Sequence, residues 1–118
     1  MSKTKGQLEA ELTKKIIQYE KEYLGRGPLE AKSYLMDDLA IIRLRGVLTP
    51  AEEKLVENRE GRTLVKDARR QLFETSREIL EEIVEDVLDR QLESLFSDIC
   101  LQSSERVIVL TFSNSQKK

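Results

Sequence analysis

A turn near residue 25 divides this chain and limits the folds open to it. The segment Tyr-Leu-Gly-Arg-Gly-Pro at residues 23–28 follows a stretch with helical periodicity. Gly25 suits the left-handed conformation that commonly ends a helix, and Pro28 disfavours helical geometry at Gly27. A helix therefore ends here, and the chain continues in another direction.

Before this turn, the sequence predicts one amphipathic helix from about Gln7 to Leu24. Its apolar residues recur at steps of three and four, whereas Glu20 and several lysines are expected to lie off the apolar stripe. Packing against a core is the favoured interpretation of this stripe, and binding to a membrane surface is the alternative. Residues 1–6 are predicted to form a flexible tail. The stripe consists of Leu8, Leu12, Ile16, Tyr19 and Tyr23.

After the turn, the sequence predicts a β-hairpin with strands at residues 31–36 and 39–44. Asp37 and Asp38 lie between the strands and suit a tight turn, although two adjacent carboxylates could also bind a divalent ion. In the second strand, Ala40, Ile42 and Leu44 share the face expected to pack on the core. The opposite face begins apolar and ends in Arg43 and Arg45.

The middle of the chain is predicted to be helical. Thr49 is a helix N-cap, Pro50 suits the first helical position, and Glu52 completes a capping box. Gly61 indicates a break or kink, although a continuous helix remains open. From residue 62 to residue 90 neither Gly nor Pro occurs, and apolar residues recur with helical spacing, so we expect one long helix of roughly 40 Å.

The charges of this long helix are unevenly distributed. Its first half is mainly basic and its second half mainly acidic, which is opposite to the distribution that the helix dipole favours. An antiparallel pair of such helices would place each basic half against an acidic half. We therefore predict a homodimer through the 62–90 helix, with two solvated faces as the alternative.

The last part of the chain predicts a second hairpin, with strands at residues 91–99 and 106–112. The final strand is largely apolar on both faces, so we expect it to be central and covered on both sides. The chain is then one α+β domain, residues 1–118, with a flexible tail at 113–118. Its one antiparallel sheet of two β-hairpins has an N-terminal helix and a long central helix packed against it, in the order α-β-β-α-α-β-β.

Several residue counts exclude common chemistries. The chain has no histidine, which removes the usual general base and the commonest transition-metal ligand, and its single cysteine, Cys100, cannot form an internal disulfide or a Cys-based zinc site. Cys100 is expected to be a small core or strand-edge residue. We therefore predict no enzyme activity, no catalytic residues, no metal and no cofactor. The net charge of −2 argues against nucleic acid as a partner. The absence of a leader-like or membrane-spanning apolar run predicts a cytoplasmic protein.

Five segments of the chain together indicate a family: residues 23–28, Asp37-Asp38, Gly-Val-Leu-Thr-Pro-Ala-Glu at 46–52, Ser-Asp-Ile at 97–99 and Val-Ile-Val at 107–109. In these segments the chain resembles the MpsC-like family of small bacterial proteins. The resemblance spans about residues 8–112. It implies association with a bacterial system that generates membrane potential by moving cations or bicarbonate, as an accessory rather than the transporting subunit. Its members are domains of unknown function, so no catalytic residues carry over.

These observations lead to two functional hypotheses. The first is a non-enzymatic accessory module, a dimer that binds a protein partner and is associated with a membrane cation or bicarbonate transport system. The second is a sensor or enzyme that holds a small anion at the Gly-Arg-Gly-Pro turn and nearby arginines. Weak binding of nucleic acid through the basic half-helix ranks last. The predicted binding residues are Arg26, Gly27, Asp37, Asp38, Arg43 and Arg45.

Overall fold

The N-terminal helix α1 spans Lys5–Leu24 in a computed structural model that describes residues 3–113. It begins two residues earlier than predicted because Thr4 and Gln7 form a capping box. Residues 3–6 therefore do not form a tail, whereas residues 1–2 and 114–118 lie outside the described residues. Gly25 ends the helix in the left-handed conformation, with φ 77°, as the sequence predicts.

Two hairpins form one antiparallel sheet. Strands β1 (Glu30–Met36) and β2 (Leu39–Arg45) form the first, and β3 (Leu92–Cys100) and β4 (Glu105–Phe112) form the second. Because β2 pairs with β4, the strand order is β1-β2-β4-β3. The first turn contains Asp37 with φ 44°, a conformation that aspartate tolerates.

The helices cover one face of this sheet. In β2 and β4, buried residues alternate with less buried ones, as expected for a sheet with one packed face. The position of β4 inside the sheet is confirmed, but the prediction that both of its faces are covered is wrong. Val107, Val109 and Thr111 remain half-exposed because no helix within residues 3–113 packs on their side.

Between the hairpins lie three helices: α2 (Pro50–Leu55), α3 (Arg59–Glu74) and α4 (Arg77–Leu88). Thr49 and Glu52 form the predicted capping box at the start of α2. Gly61 does not break a helix; it lies in the first turn of α3, where its N–H donates to the Asn58 cap. A Cβ at Gly61 would lie 1.6 Å from the Leu55 carbonyl oxygen, so only glycine allows α2 and α3 to approach this closely.

The prediction of one long helix over residues 62–90 is wrong, because the helix is interrupted at Thr75 and Ser76. The Ser76 hydroxyl donates to the Phe73 carbonyl at 2.7 Å, and the Thr75 hydroxyl donates to the Leu72 carbonyl at 3.0 Å. These side chains compete with the helical pattern of backbone bonds. Ser76 is buried, and its Oγ also lies 2.7 Å from the hydroxyl of Tyr19 in α1, which fixes the turn.

The hydrophobic core lies between one face of the sheet and the two helices α1 and α4. Helix α3 adds a narrow strip of contacts. The predicted α+β class, the single antiparallel sheet of two hairpins and the packing of helices against it are confirmed. Among the described residues, no helix is long and apolar enough to cross a membrane. The largest apolar residues that are fully buried are Leu12, Ile16, Ile42, Leu44, Leu80, Ile108 and Leu110.

Candidate functional site: a groove beside the edge strand

A groove of about 580 Å³ lies between α3 and β3. This volume is within the range of ligand-binding pockets, roughly 300–1,000 Å³. The groove has apolar walls from Phe73, Leu95 and Ile99, is bordered by Phe96 at the strand edge, and contains two almost completely buried arginines, Arg69 and Arg106. The other lining residues are Thr63, Lys66, Asp67, Arg70, Glu74, Ser97 and Asp98.

Arg69 reaches into the protein from the middle of α3 and is only 4% exposed. Its Nε donates to Glu52 Oε2 at 2.7 Å, and its Nη2 donates to Glu52 Oε1 at 2.6 Å and to the Val47 carbonyl at 2.9 Å. Arg69 therefore attaches α3 to the capping box of α2. Its Nη1 is the one buried side-chain polar atom within residues 3–113 that lacks a hydrogen-bond partner. A buried donor without a partner costs about 1–3 kcal/mol.

The charge on Arg69 also affects the carboxyl group that it contacts. Partial burial raises the pKa of Glu52, but hydrogen bonds from Arg69 and Thr49 outweigh that effect, so the pKa lies below its usual value. Glu52 is therefore held in its ionised form.

Arg106 and Glu20 form a second buried pair beside the groove. The Nη1 of Arg106 donates to Oε2 of Glu20 at 2.5 Å, and its Nε donates to the Ser97 hydroxyl at 2.9 Å. The guanidinium also lies over the ring of Phe73, 5.1 Å from its centroid. Burial raises the pKa of the Glu20 carboxyl, and the Arg106 charge opposes that rise.

Every cation that lines the groove has an acidic partner. Arg70 pairs with Asp67 at 2.5 Å and with Glu74 at 3.5 Å, and Lys66 lies 3.8 Å from Asp98. Since Arg69 and Arg106 also have carboxylate partners, the groove is close to electrically neutral. It is therefore poorly suited to a multiply charged anion, and its free features are an apolar wall and one buried donor.

The MpsC family, described as "Na+-translocating membrane potential-generating system (MpsC)", matches residues 4–114 of this chain. This chain belongs to the MpsC family. A similar relative, "Uncharacterized protein YbcI" of Bacillus subtilis (strain 168), is 36% identical over 118 residues, which are 100% of this chain and 95% of that protein. The family membership confirms the resemblance drawn from the turn sequences.

A second relative from Bacillus subtilis (strain 168), "Uncharacterized protein YrhF", is 31% identical over 94 residues. The matched region is 78% of this chain and 76% of that protein. No solved structure matches the chain. Within residues 3–113, no three His, Cys, Asp or Glu side chains converge as a metal site would require.

In this MpsC family member, two of the predicted binding residues lie together on the face of the sheet opposite the helices. Arg43 and Arg45 both pair with Glu105 of the neighbouring strand β4, and the Arg45 pair spans 3.7 Å. This ion-pair cluster holds the arginines at the edge of the half-exposed apolar surface of β2 and β4.

The other predicted residues lie elsewhere. Arg26 is half-buried and donates to the Leu48 carbonyl at 3.2 Å, and Gly27 packs near the side chains of α1. Asp37 and Asp38 form the turn at the opposite end of the first hairpin from Arg45, where their carbonyls accept bonds from Arg90 and from the Phe112 N–H. The structure therefore does not bring the six residues into one site, and their binding role remains a prediction.

Sequence reasoning missed Glu20, Arg69 and Arg106. Each occupies an apolar position in a periodic pattern: Glu20 follows Ile16 by four residues, and Arg69 lies four residues from both Val65 and Phe73. Glu20, which was expected to lie off the apolar stripe, is instead buried, because its carboxylate pairs with Arg106. A charged residue at an apolar position of a helix or strand was the signal that could have identified this site.

Cys100 is the last residue of β3 and is exposed, so the expectation of a strand-edge residue fits its position better than a core residue. It does not line the groove between α3 and β3.

Proposed function

We propose that this protein is a non-enzymatic, dimeric accessory module that binds a protein component of a bacterial membrane potential-generating system. The family description supports this setting. The observation that carries the binding role is the face of the sheet on which no helix of the described part of the chain packs. This surface, which we call the open face, contains one continuous row of apolar side chains, one from each strand.

The row is set by the strand register. Tyr34 pairs with Ile41, Ile41 with Val109, and Val109 with Phe96. Tyr34 and Phe96 are exposed, and the two central residues are half-exposed. Contiguous apolar side chains of this kind on a protein surface commonly mark an interaction site.

The charges around the row favour a protein over a lipid surface. Glu30 and Glu105 lie among Lys32, Arg43 and Arg45 at one end of the open face. Acidic residues interspersed with basic ones weaken attraction to anionic lipids, whereas they can form specific pairs with a protein partner.

The dimeric part of the proposal is supported by α3. Of its 16 residues only Gly61, Val65, Arg69 and Phe73 are buried. Leu64, Ala68 and Leu72 recur at steps of four along another face and are exposed, Leu64 to 58%. The predicted 62–90 helix is divided at Ser76, so α3 rather than one long helix is the helical element that offers this stripe to a second copy.

Co-purification of the tagged protein from its native host tests the accessory role. After mild crosslinking, membrane and soluble fractions are analysed separately by mass spectrometry. Wild type is expected to enrich an integral membrane transport protein, and Tyr34→Ala with Ile41→Ser is expected to lose it. Leu55→Ala, which changes an exposed leucine of α2, is the matched control and should retain it. Recovery of the protein alone from the soluble fraction would overturn the accessory role.

A further inference from the structure

Strand β3 has a free edge beside the groove. It is the last strand in the order β1-β2-β4-β3, so its outer backbone groups pair with no other strand of the described chain. Unpaired strand edges bind further strands readily unless they are protected. The orientation of each residue in β3 decides which N–H and C=O groups face outwards.

The hydrogen bonds around β4 determine these orientations. The Phe112 N–H donates to Asp38 on the β2 side, and the Ser113 N–H donates to Gln91 on the β3 side. By alternation, Val109 and Thr111 bond towards β3, where their register partners are Phe96 and Ser94. The backbone groups of Leu95, Ser97 and Ile99 therefore point away from the sheet, whereas a bulge at Glu93 interrupts the alternation.

Hydrogen bonds already occupy the bulge on one side of this outward series and Ile99 at its other end. Arg77 Nη2 donates to the Glu93 carbonyl at 3.1 Å, and the Ile99 N–H donates to the carboxylate of Asp98 at 2.8 Å. The remaining residues of the series, Leu95 and Ser97, have outward N–H and C=O groups that form no hydrogen bond within residues 3–113. The free edge is thus centred on Phe96.

We propose that a second copy of this chain pairs with β3 in antiparallel orientation, with the two-fold axis passing between the two Phe96 residues. The inference rests on the dimer in the proposed function and specifies its interface. Leu95 of one copy then pairs with Ser97 of the other, and the symmetric pair repeats on the far side of the axis. All four outward groups of Leu95 and Ser97 gain partners in each copy, and the two sheets join into one of eight strands.

The side chains agree with this register. Phe96, which is 58% exposed, lies opposite Phe96 of the second copy, where aromatic cross-strand pairs are stabilising. Ser94 lies opposite Asp98 of the second copy, so no two like charges face each other. The groove between α3 and β3 lines the edge from Leu95 to Ile99 and provides the space that the incoming strand enters.

Site-specific disulfides test this arrangement in the full-length chain, with Cys100→Ser removing the native thiol. Directly opposed residues without mutual hydrogen bonds have Cα atoms about 4.5 Å apart, within disulfide range. Phe96→Cys is therefore expected to form a covalent dimer under mild oxidation. Ser94→Cys is the matched control, because the two copies of residue 94 would lie roughly 13 Å apart along the strands.

A mixture of Ser94→Cys and Asp98→Cys chains provides a second test that keeps Phe96 intact. The two variants should crosslink to each other, whereas each alone should not. Sedimentation equilibrium of the Cys100→Ser protein at tens of micromolar gives the oligomeric state independently.

A dimer with this crosslinking pattern supports the proposal. A dimer that crosslinks at Ser94 alone, or at none of these positions, overturns the β3 interface and leaves the dimer intact. A monomer removes both the interface and the dimeric part of the proposed function. The accessory role is tested separately by co-purification.

Discussion

Glu20 of α1 and Arg106 of β4 form an ion pair in the core, with Oε2 and Nη1 2.5 Å apart and side chains that are 1% and 3% exposed. The pair connects the first helix to the last strand across 86 residues of sequence. It closes one side of the groove through the bond between Arg106 and Ser97. The integrity of the candidate site therefore depends on a contact between the two ends of the fold.

The first prediction concerns this pair. Arg106→Met should destabilise the protein by about 3–5 kcal/mol, because it leaves the Glu20 carboxyl buried without its partner. Glu20→Leu combined with Arg106→Met should recover much of this loss, since the double variant buries no unpaired charge. Urea unfolding of the wild type, both single variants and the double variant gives the coupling energy. Additive single and double effects would contradict a coupled pair.

The second prediction concerns Glu52 and pH. Its folded pKa lies below the usual value, so between these two values the unfolded chain binds more protons at this site. The stabilisation from Glu52 is therefore present above its ordinary pKa and is lost as pH falls through the lower folded pKa. Glu52→Gln should cost about 1.5–3 kcal/mol at neutral pH through its weakened bonds to Arg69. It should also reduce the loss of unfolding free energy that the protein shows as the pH falls from neutral towards about pH 3.

Glu53→Gln provides the control for this experiment, because Glu53 is the adjacent residue in α2 and is exposed. Unfolding free energies measured from neutral pH to about pH 3 should show the wild-type slope for this variant. Glu20 contributes with the opposite sign, since its pKa is raised. The informative quantity is therefore the difference between each variant and the wild type, and equal slopes for both variants would refute the role of Glu52.

The parts of the fold that were predictable are those that short-range chemistry determines. Gly25, the turn at Asp37 and the Thr49 capping box each depend on a few neighbouring residues, and the structure contains all three. The division of the 62–90 helix was not predictable in this way. It depends on the Ser76 hydroxyl, which bonds both the nearby Phe73 carbonyl and the hydroxyl of Tyr19, 57 residues away.

The candidate site was less predictable than the fold because it depends on contacts between residues that are far apart in the sequence. Arg106 alternates with Ile108 and Leu110 on the packed face of β4, a position that a charged residue occupies only with a buried partner. The pattern identifies Arg106 as unusual but does not identify Glu20 as its partner. The groove itself arises because α3 lies beside an edge strand, and strand order is a property of the whole chain.

The third prediction concerns the contact between α2 and α3. Gly61→Ala should destabilise the protein by about 1–3 kcal/mol, because the added Cβ would overlap the Leu55 carbonyl oxygen and force the two helices apart. Gly6→Ala, in α1, is the matched control, since the nearest atom to its Cβ is 4.0 Å away. That variant should be neutral or more stable by up to about 1 kcal/mol. Thermal and urea unfolding distinguish the two, and equal effects would mean that the close approach at Gly61 has no energetic role.

The fourth prediction separates two arginines that the sequence placed in one binding site. Arg26→Ala should reduce stability by about 0.5–1.5 kcal/mol, because it removes the half-buried bond to the Leu48 carbonyl. Arg43→Ala should leave the melting temperature nearly unchanged, since Arg43 forms an exposed ion pair with Glu105. Because Arg43 borders the open face, Arg43→Ala should instead reduce recovery of the membrane partner in the co-purification experiment. If Arg43→Ala retains the partner and Arg26→Ala loses it without loss of stability, partner binding belongs to the Gly-Arg-Gly-Pro turn rather than to the open face.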